Sequence, residues 1–290
     1  MAAEADEVRV RALLCAHPGG HEIATAPFWP IESGVLNRCW RADTARGPLF
    51  VRLAHGEARR LGADWESEAA LLVIASRAGL APAPVLTMPA AGLLVSEFVP
   101  GRILTRDEAQ SPARVAAIGR LLRELHHLAP SPGIRRLDFA TQAQTLESQL
   151  DAASQAAFAK QAAAVFARLR VGQGAPVPCH NDLHAQNILE HDQHLLLVDW
   201  EYGGLGDPVY DLAGCVIHFA LDAAQRELLL DAYGMRAPRA RLHDACWAYD
   251  YVQWLWYRVA AGQPGERGAD ALAEAASAVV RRLERSQGAG

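Results

Sequence analysis

His180-Asn181-Asp182-Leu183-His184-Ala185-Gln186-Asn187, followed by Leu195-Leu196-Leu197-Val198-Asp199, is the stretch whose reading decides the fold. A short apolar entry, Val177 to Cys179, leads into it, so Asp182 and Asn187 fall in a loop. Asp199 ends a short apolar strand. One hairpin separates the two parts, so three oxygen-bearing side chains can meet in one cleft. Hard oxygen donors suit Mg²⁺, and a separate carboxylate can orient a hydroxyl and take its proton. A competing reading makes His180 and His184, at i and i+4, a metal pair. That needs helical spacing in what reads as a loop, and it gives Asn187 no role. Gly203-Gly204-Leu205-Gly206 lacks the G-x-G-x-x-G spacing of a dinucleotide loop, and no G-x-x-x-x-G-K-[ST] occurs.

The interval from Asp182 to Asn187 is that of the H-R-D-x-x-x-x-N loop of kinases, and the second Asp follows at the distance of a kinase metal ligand. What precedes it has the matching parts. Residues 37–44 and 49–53 alternate as strands around a turn at 46–48, and 85–88 and 93–98 read as two more. Residues 64–78 form a helical pattern, with Gly79 as its stop. Arg52 lies near the end of the strand 49–53, where a phosphate-pairing cation belongs, and Glu68 on the next helix can pair with it; a surface ion pair is the plain alternative. Ser33, Gly34 and Asn37 lie where a phosphate-covering turn would come, though with one Gly where kinases have three.

Pro100-Gly101 marks a change of character, and helices dominate beyond it. They are expected at 112–128, in one or two pieces over 140–170, and at 210–221, 223–233, 240–260 and 270–284, the last with Asp270 as N-cap. The expected fold is therefore α+β and bilobal. Residues 1–98 form a small antiparallel-sheet lobe with one inserted helix, preceded by an N-terminal helix over 4–16. Residues 99–290 form a larger, mostly helical lobe.

Composition sets bounds. A chain of 290 residues, 51% hydrophobic and 21% charged, can bury a core. A net charge of −5 with only isolated Arg pairs argues against nucleic-acid binding. Five cysteines, none in C-x-x-C, suit reduced thiols. No apolar run reaches the roughly 20 residues of a membrane span, and residues 1–7 are acidic, so a cytoplasmic protein is expected. Oligomeric state, monomer or homodimer, stays open.

With those residues in view, the chain resembles the aminoglycoside phosphotransferase and choline kinase superfamily, most of all its choline, ethanolamine and thiamine kinases. Val198-Asp199-Trp200-Glu201-Tyr202 resembles the Ile-Asp-Trp-Glu-Tyr segment of those kinases. Asp207-Pro208 to Asp211-Leu212-Ala213, Glu97-Phe98-Val99-Pro100-Gly101 and Leu121-Leu122-Arg123-Glu124-Leu125-His126 are similar too. The resemblance implies a protein-kinase-like fold and ATP-dependent phosphorylation of a small alcohol. It implies that Asp182 acts as base, that Asn187 and Asp199 hold Mg²⁺, and that Arg52, held by Glu68, contacts the phosphates. Asp211 would brace the loop, His180 would support it, and the backbone at Glu97, Phe98 and Val99 would meet adenine. Arg52 departs from the Lys of many kinases, but its donor fork suits phosphate oxygens.

The acceptor is less legible. Trp247, Tyr249, Tyr251, Trp254, Trp256 and Tyr257 crowd one expected helix, and Trp200 and Glu201 follow the metal Asp. Aromatic faces with a carboxylate bind organic cations. This favours a cationic alcohol such as choline, ethanolamine or thiamine, with Trp200, Glu201, Tyr251 and Trp254 as its residues beside Asp182. Ordinary helical core is the plain alternative. An aminoglycoside or amino-sugar acceptor, and a catalytically inactive kinase-like binding protein, are the other readings.

Overall fold

The computed structural model describes residues 2–31, 37–234, 239–262 and 269–287. Its first part is a five-stranded antiparallel sheet in the order β1-β2-β3-β5-β4. The strands are β1 (Phe28–Ile31), β2 (Asn37–Thr44), β3 (Gly47–Ala54), β4 (Pro84–Met88) and β5 (Leu93–Glu97). Period-two alternation divides its faces. Trp40, Ala42, Val51, Leu53 and Val95 pack with Val10, Leu14 and Ile23 of α1 (Ala2–Ala16) and α2 (His21–Thr25). Arg41, Phe50 and Arg52 therefore face the other way. β1 lies outside the strands read from the sequence, because Pro27 and Pro30 read as breaks. It pairs only with β2, and an edge strand tolerates a residue without N–H.

After the short α3 (Glu57–Arg60), α4 (Trp65–Arg77) crosses from β3 to β4. Asp64 caps it, its side chain accepting from Ser67 N at 2.9 Å. Leu71, Leu72 and Ala75 face the main core, which places Glu68 toward the sheet's open face.

The second part holds β6 (Arg102–Ile103), α5 (Arg106–Ala109), α6 (Pro112–His126), α7 (Phe139–Glu147), α8 (Ala152–Ala156) and α9 (Ala159–Arg170). Then come β7 (Val177–Cys179), β8 (Ile188–His191), β9 (His194–Leu197) and β10 (Gly204–Gly206). The chain continues through α10 (Val209–His218), α11 (Ala223–Tyr233), α12 (Arg239–Ala261) and α13 (Ala269–Gln287). Ile118, Leu122 and Leu125 of α6 are essentially buried, each contributing on the order of 1.5–3 kcal/mol. The 140–170 segment makes three helices, one more than its composition suggested. Asp151 starts α8 by accepting from Ser154 N at 2.9 Å, which divides the run. Asp270, expected as an N-cap, lies inside the first turn of α13.

The two parts meet through backbone bonds that set the site. Leu197 N donates to Leu80 O at 2.8 Å, and Asp64 N to Glu201 O at 2.8 Å. Arg135 adds a clasp, donating to Gly62 O at 2.7 Å, Tyr202 O at 3.1 Å and Gly203 O at 3.2 Å. All five cysteines are free. No helix among the described residues is long and apolar enough to cross a membrane.

Candidate active site

The loop after β7 hangs on one carboxylate. His180 N and Asn181 N donate to the two oxygens of Asp211, at 2.8 and 2.6 Å. Asp211, on α10, is fully buried, and His126 Nε2 lies 3.0 Å from its Oδ2. Asn181 then takes φ 64°, a left-handed conformation that Asn tolerates, and this turns Asp182 outward. The 3₁₀ turn Ala185–Asn187 brings the chain back. Asn187 Nδ2 donates to Asp182 O at 2.8 Å and to Asp182 Oδ2 at 3.1 Å. Val198 N donates to Asn187 O at 3.0 Å, and His180 Nε2 lies 3.0 Å from Val198 O, so the loop and β9 form one unit. Asp199 follows with φ 63°, uncommon outside Gly and characteristic of functional loops.

Arg52 reaches this unit from β3. Its Nη1 donates to Glu68 Oε1 at 2.7 Å and to Asp199 Oδ1 at 3.0 Å, and its Nη2 pairs with Glu68 Oε2. Burial alone would lower the guanidinium, but the charges of Glu68, Glu201 and Asp199 outweigh it, so Arg52 stays cationic. Glu201, expected beside the acceptor, lies instead 3.9 Å from Arg52, and its Oε1 accepts from Asn37 Nδ2 at 3.4 Å. The backbone bond from Asp64 draws it under the sheet. Burial and the charge of Asp199 push its carboxyl up to about 8. Its Oε2 is buried and accepts no hydrogen bond.

Trp200 is a second correction. It is 1% exposed, its ring centroid is 4.8 Å from that of His180, and its Nε1 donates to Leu197 O at 3.0 Å. It supports the loop from below. Ser33 and Gly34 lie outside the described residues; Asn37 opens β2. Glu97 pairs with Leu49 on β3, three residues from Arg52, or about 10 Å along the strand. Glu97, Phe98 and Val99 border a cavity of about 610 Å³ shared with Ile23, Leu49 and His191.

His184 meets the same oxygen of Asp182 that Asn187 bonds, its Nε2 3.5 Å from Oδ2. Burial alone raises the Asp182 carboxyl. The hydrogen bond to His184 and the nearby charges of His184, His180 and His218 outweigh it and hold the group at about 2. The His184 imidazole is raised: burial opposes this, and Asp182 prevails. His218, on α10, follows with its ring 5.7 Å from that of His184. Tyr249 OH lies 3.3 Å and Gln253 Nε2 3.1 Å from His218 Nε2. Trp256 Nε1 donates to Tyr202 OH at 3.1 Å, and Tyr257 lies edge-on to Trp256.

Tyr251 and Trp254, expected at the acceptor site, sit on the opposite face of α12. Tyr251 is fully buried and donates to Glu147 on α7. Both stack with each other and pack edge-on against Phe158 in the core, with Trp247 alongside. Trp247, Tyr251 and Trp254 share one helical face, and that face is packing. The face beside Asp182 carries Tyr249, Gln253, Trp256 and Tyr257, the last three half-buried. The signal that distinguishes it is polarity, with Gln253 and Asp250 set among aromatic residues.

Residues 28–245 match a family model described as the phosphotransferase enzyme family. The chain is 30% identical over 119 residues to Protein LicA of Haemophilus influenzae, covering 37% of this chain and 43% of that one. It is 42% identical over 60 residues to thiamine kinase of Salmonella heidelberg, covering 21% of each. These matches span less than half the length of those relatives. A choline/ethanolamine kinase family protein of Mesorhizobium loti superposes with a TM-score of 0.75 at 23% identity, covering 96% of this chain and 93% of that one. That likeness is one of fold, and it bears out the bilobal, protein-kinase-like α+β architecture.

Proposed function

Because this chain belongs to the phosphotransferase enzyme family, we propose that it transfers the γ-phosphoryl group of ATP to the hydroxyl of a small cationic alcohol of the choline, ethanolamine or thiamine type. The observation that carries the reading is the clasp of Arg52 by Glu68 and Asp199, together with the nearness of Asp182 to Tyr202, Tyr249 and Tyr257, whose hydroxyls feel its charge.

Phosphoryl transfer relies on positioning and electrostatics more than on covalent chemistry by the protein. Arg52, desolvated and held by Glu68, offers a fixed cation to phosphate oxygens. The backbone of 97–99, at the end of β5, is the edge for adenine. The donor set fits Mg²⁺. Asn187 spends its Nδ2 on Asp182, leaving Oδ1 as a ligand oxygen, and Asp199 keeps a second carboxylate oxygen besides the one that meets Arg52. Asn187 and Asp199 would hold the ion, which when bound neutralises phosphate charge. Asp182, ionised through the whole neutral range, accepts the hydrogen bond of the acceptor hydroxyl and orients its oxygen; the proton goes to this carboxylate as the new P–O bond forms and the bond from the γ-phosphorus to the bridging oxygen breaks, releasing ADP.

The ring faces of Tyr202, Trp256 and Tyr257 would suit one organic cation by cation–π attraction. The carboxylate of Asp250 is taken by Arg282, at 3.0 Å from Nε, so this face offers few anions to a polycationic aminoglycoside. The test is ATP consumption with Mg²⁺ and choline, ethanolamine, thiamine or kanamycin. Turnover with one of the first three supports the reading; turnover with kanamycin alone replaces its acceptor class.

A further inference from the structure

Gln253 sits between two groups that together fix which way its amide points. Arg282, on α13, is held by Asp250, its Nε 3.0 Å from both carboxylate oxygens. Arg282 Nη2 also donates to Gln253 Oε1 at 3.3 Å. A guanidinium only donates, so it requires the amide oxygen on its own side. The Gln253 NH₂ must then face His218, whose Nε2 lies 3.1 Å away. A nitrogen that receives this donor carries no proton, and the Tyr249 hydroxyl at 3.3 Å can donate to the same atom. Burial keeps the ring neutral at neutral pH, pushing it down to about 4. A neutral imidazole with a bare Nε2 carries its proton on Nδ1. The ring is half-buried, meets the His184 ring edge-on at 5.7 Å and lies near enough to Asp182 to feel its charge.

We propose that His218 is a specificity residue of the acceptor site, presenting a fixed Nδ1–H donor to a lone-pair nitrogen or oxygen that the acceptor carries besides its reacting hydroxyl. Arg282, Asp250 and Gln253 are positioning residues that set its tautomer, which makes the C-terminal helix part of the site. The proposal rests on the phosphotransferase reading. It favours thiamine, whose aminopyrimidine ring supplies such nitrogens, over choline, which has none.

Two measurements test it on the full chain. The first is a long-range ¹H–¹⁵N spectrum at pH 7, with the His218 signals assigned by their loss in His218→Phe. The Nδ1–H pattern is expected in the wild type, and Gln253→Leu should mix the tautomers. An Nε2–H or imidazolium pattern overturns this proposal alone. The second is steady-state kinetics. His218→Phe should raise KM for thiamine at least tenfold and leave KM for ATP within twofold. His218→Asn, whose Nδ2 takes the place of Nδ1, should recover most of the loss, and His218→Gln should not. An unchanged thiamine KM in His218→Phe, equal rescue by Gln, or turnover of choline but not thiamine overturns the proposal. A wild-type chain that consumes no ATP with any acceptor contradicts the phosphotransferase reading itself, and the proposal falls with it.

Discussion

Arg52 and Asp199 are joined across the cleft by a 3.0 Å contact from Nη1 to Oδ1, although 147 residues separate them in the chain. The same guanidinium is gripped by Glu68, so the sheet, α4 and the segment after β9 are held together by one cation. Removing one partner of a buried ion pair leaves an uncompensated charge and costs about 3–5 kcal/mol. Glu68→Ala should therefore lower the melting temperature by several degrees and raise KM for ATP more than KM for the acceptor. Calorimetry and initial-rate kinetics read both. Wild-type values would show that Arg52 stands without Glu68.

Asp211 accepts two backbone N–H groups from the loop that carries Asp182. Asp211→Asn turns one acceptor into a donor facing an N–H. The unsatisfied buried groups cost about 1–3 kcal/mol. We expect a lower melting temperature and a kcat reduced at least tenfold, with KM for ATP little changed.

Asp182 and His184 form a pair whose pH dependence has a defined sign. The folded Asp182 carboxyl lies at about 2 against an ordinary 3.8, so its stabilisation is full above about pH 4 and is lost as pH falls toward 2. His184 is raised, so its contribution is full below its ordinary value of 6.5 and is lost as pH rises through its higher folded value. Asp182→Asn should flatten the stability profile at both ends, as read by thermal melts from pH 2 to pH 9. It should also lower kcat by a factor on the order of 10²–10⁴, the usual worth of a general base.

The two faces of α12 should separate stability from acceptor binding. Trp254→Ala removes a core ring and should cost about 3–5 kcal/mol, with acceptor KM unchanged in whatever folds. Tyr257→Ala, at a half-buried position near Asp182, should raise acceptor KM with a smaller change in melting temperature. A large acceptor effect from Trp254 alone would return that residue to the site.

The elements were legible where local pattern decides. The strands of 37–54, the helix after Asp64 and the loop from His180 to Asn187 follow from alternation, capping and spacing. β1 was hidden because its prolines suit an edge, and edge position is a property of the sheet rather than of the strand. Arg52 and Glu68 could be paired from the sequence because each lies at a predictable place on its element. Trp200, Glu201, Tyr251 and Trp254 were expected at the acceptor, and local pattern does not decide where their side chains go. Which face of a helix meets the cleft depends on neighbours such as Phe158 and Glu147, and the direction of Glu201 depends on one backbone bond from Asp64. His218, near Asp182, and Gln253, which meets it, come from different helices and come together only in three dimensions.

We propose phosphoryl transfer at Asp182, with Asn187 and Asp199 as the metal-binding pair. ³¹P NMR of the products after incubation with ATP, Mg²⁺ and an acceptor mixture of choline, ethanolamine and thiamine tests it most directly, with Asp199→Ala run alongside. The wild type should give a new phosphomonoester signal with ADP, and the folded variant none. Equal phosphomonoester from Asp199→Ala, or ADP formed in the wild type with free phosphate as the sole other product, would contradict it.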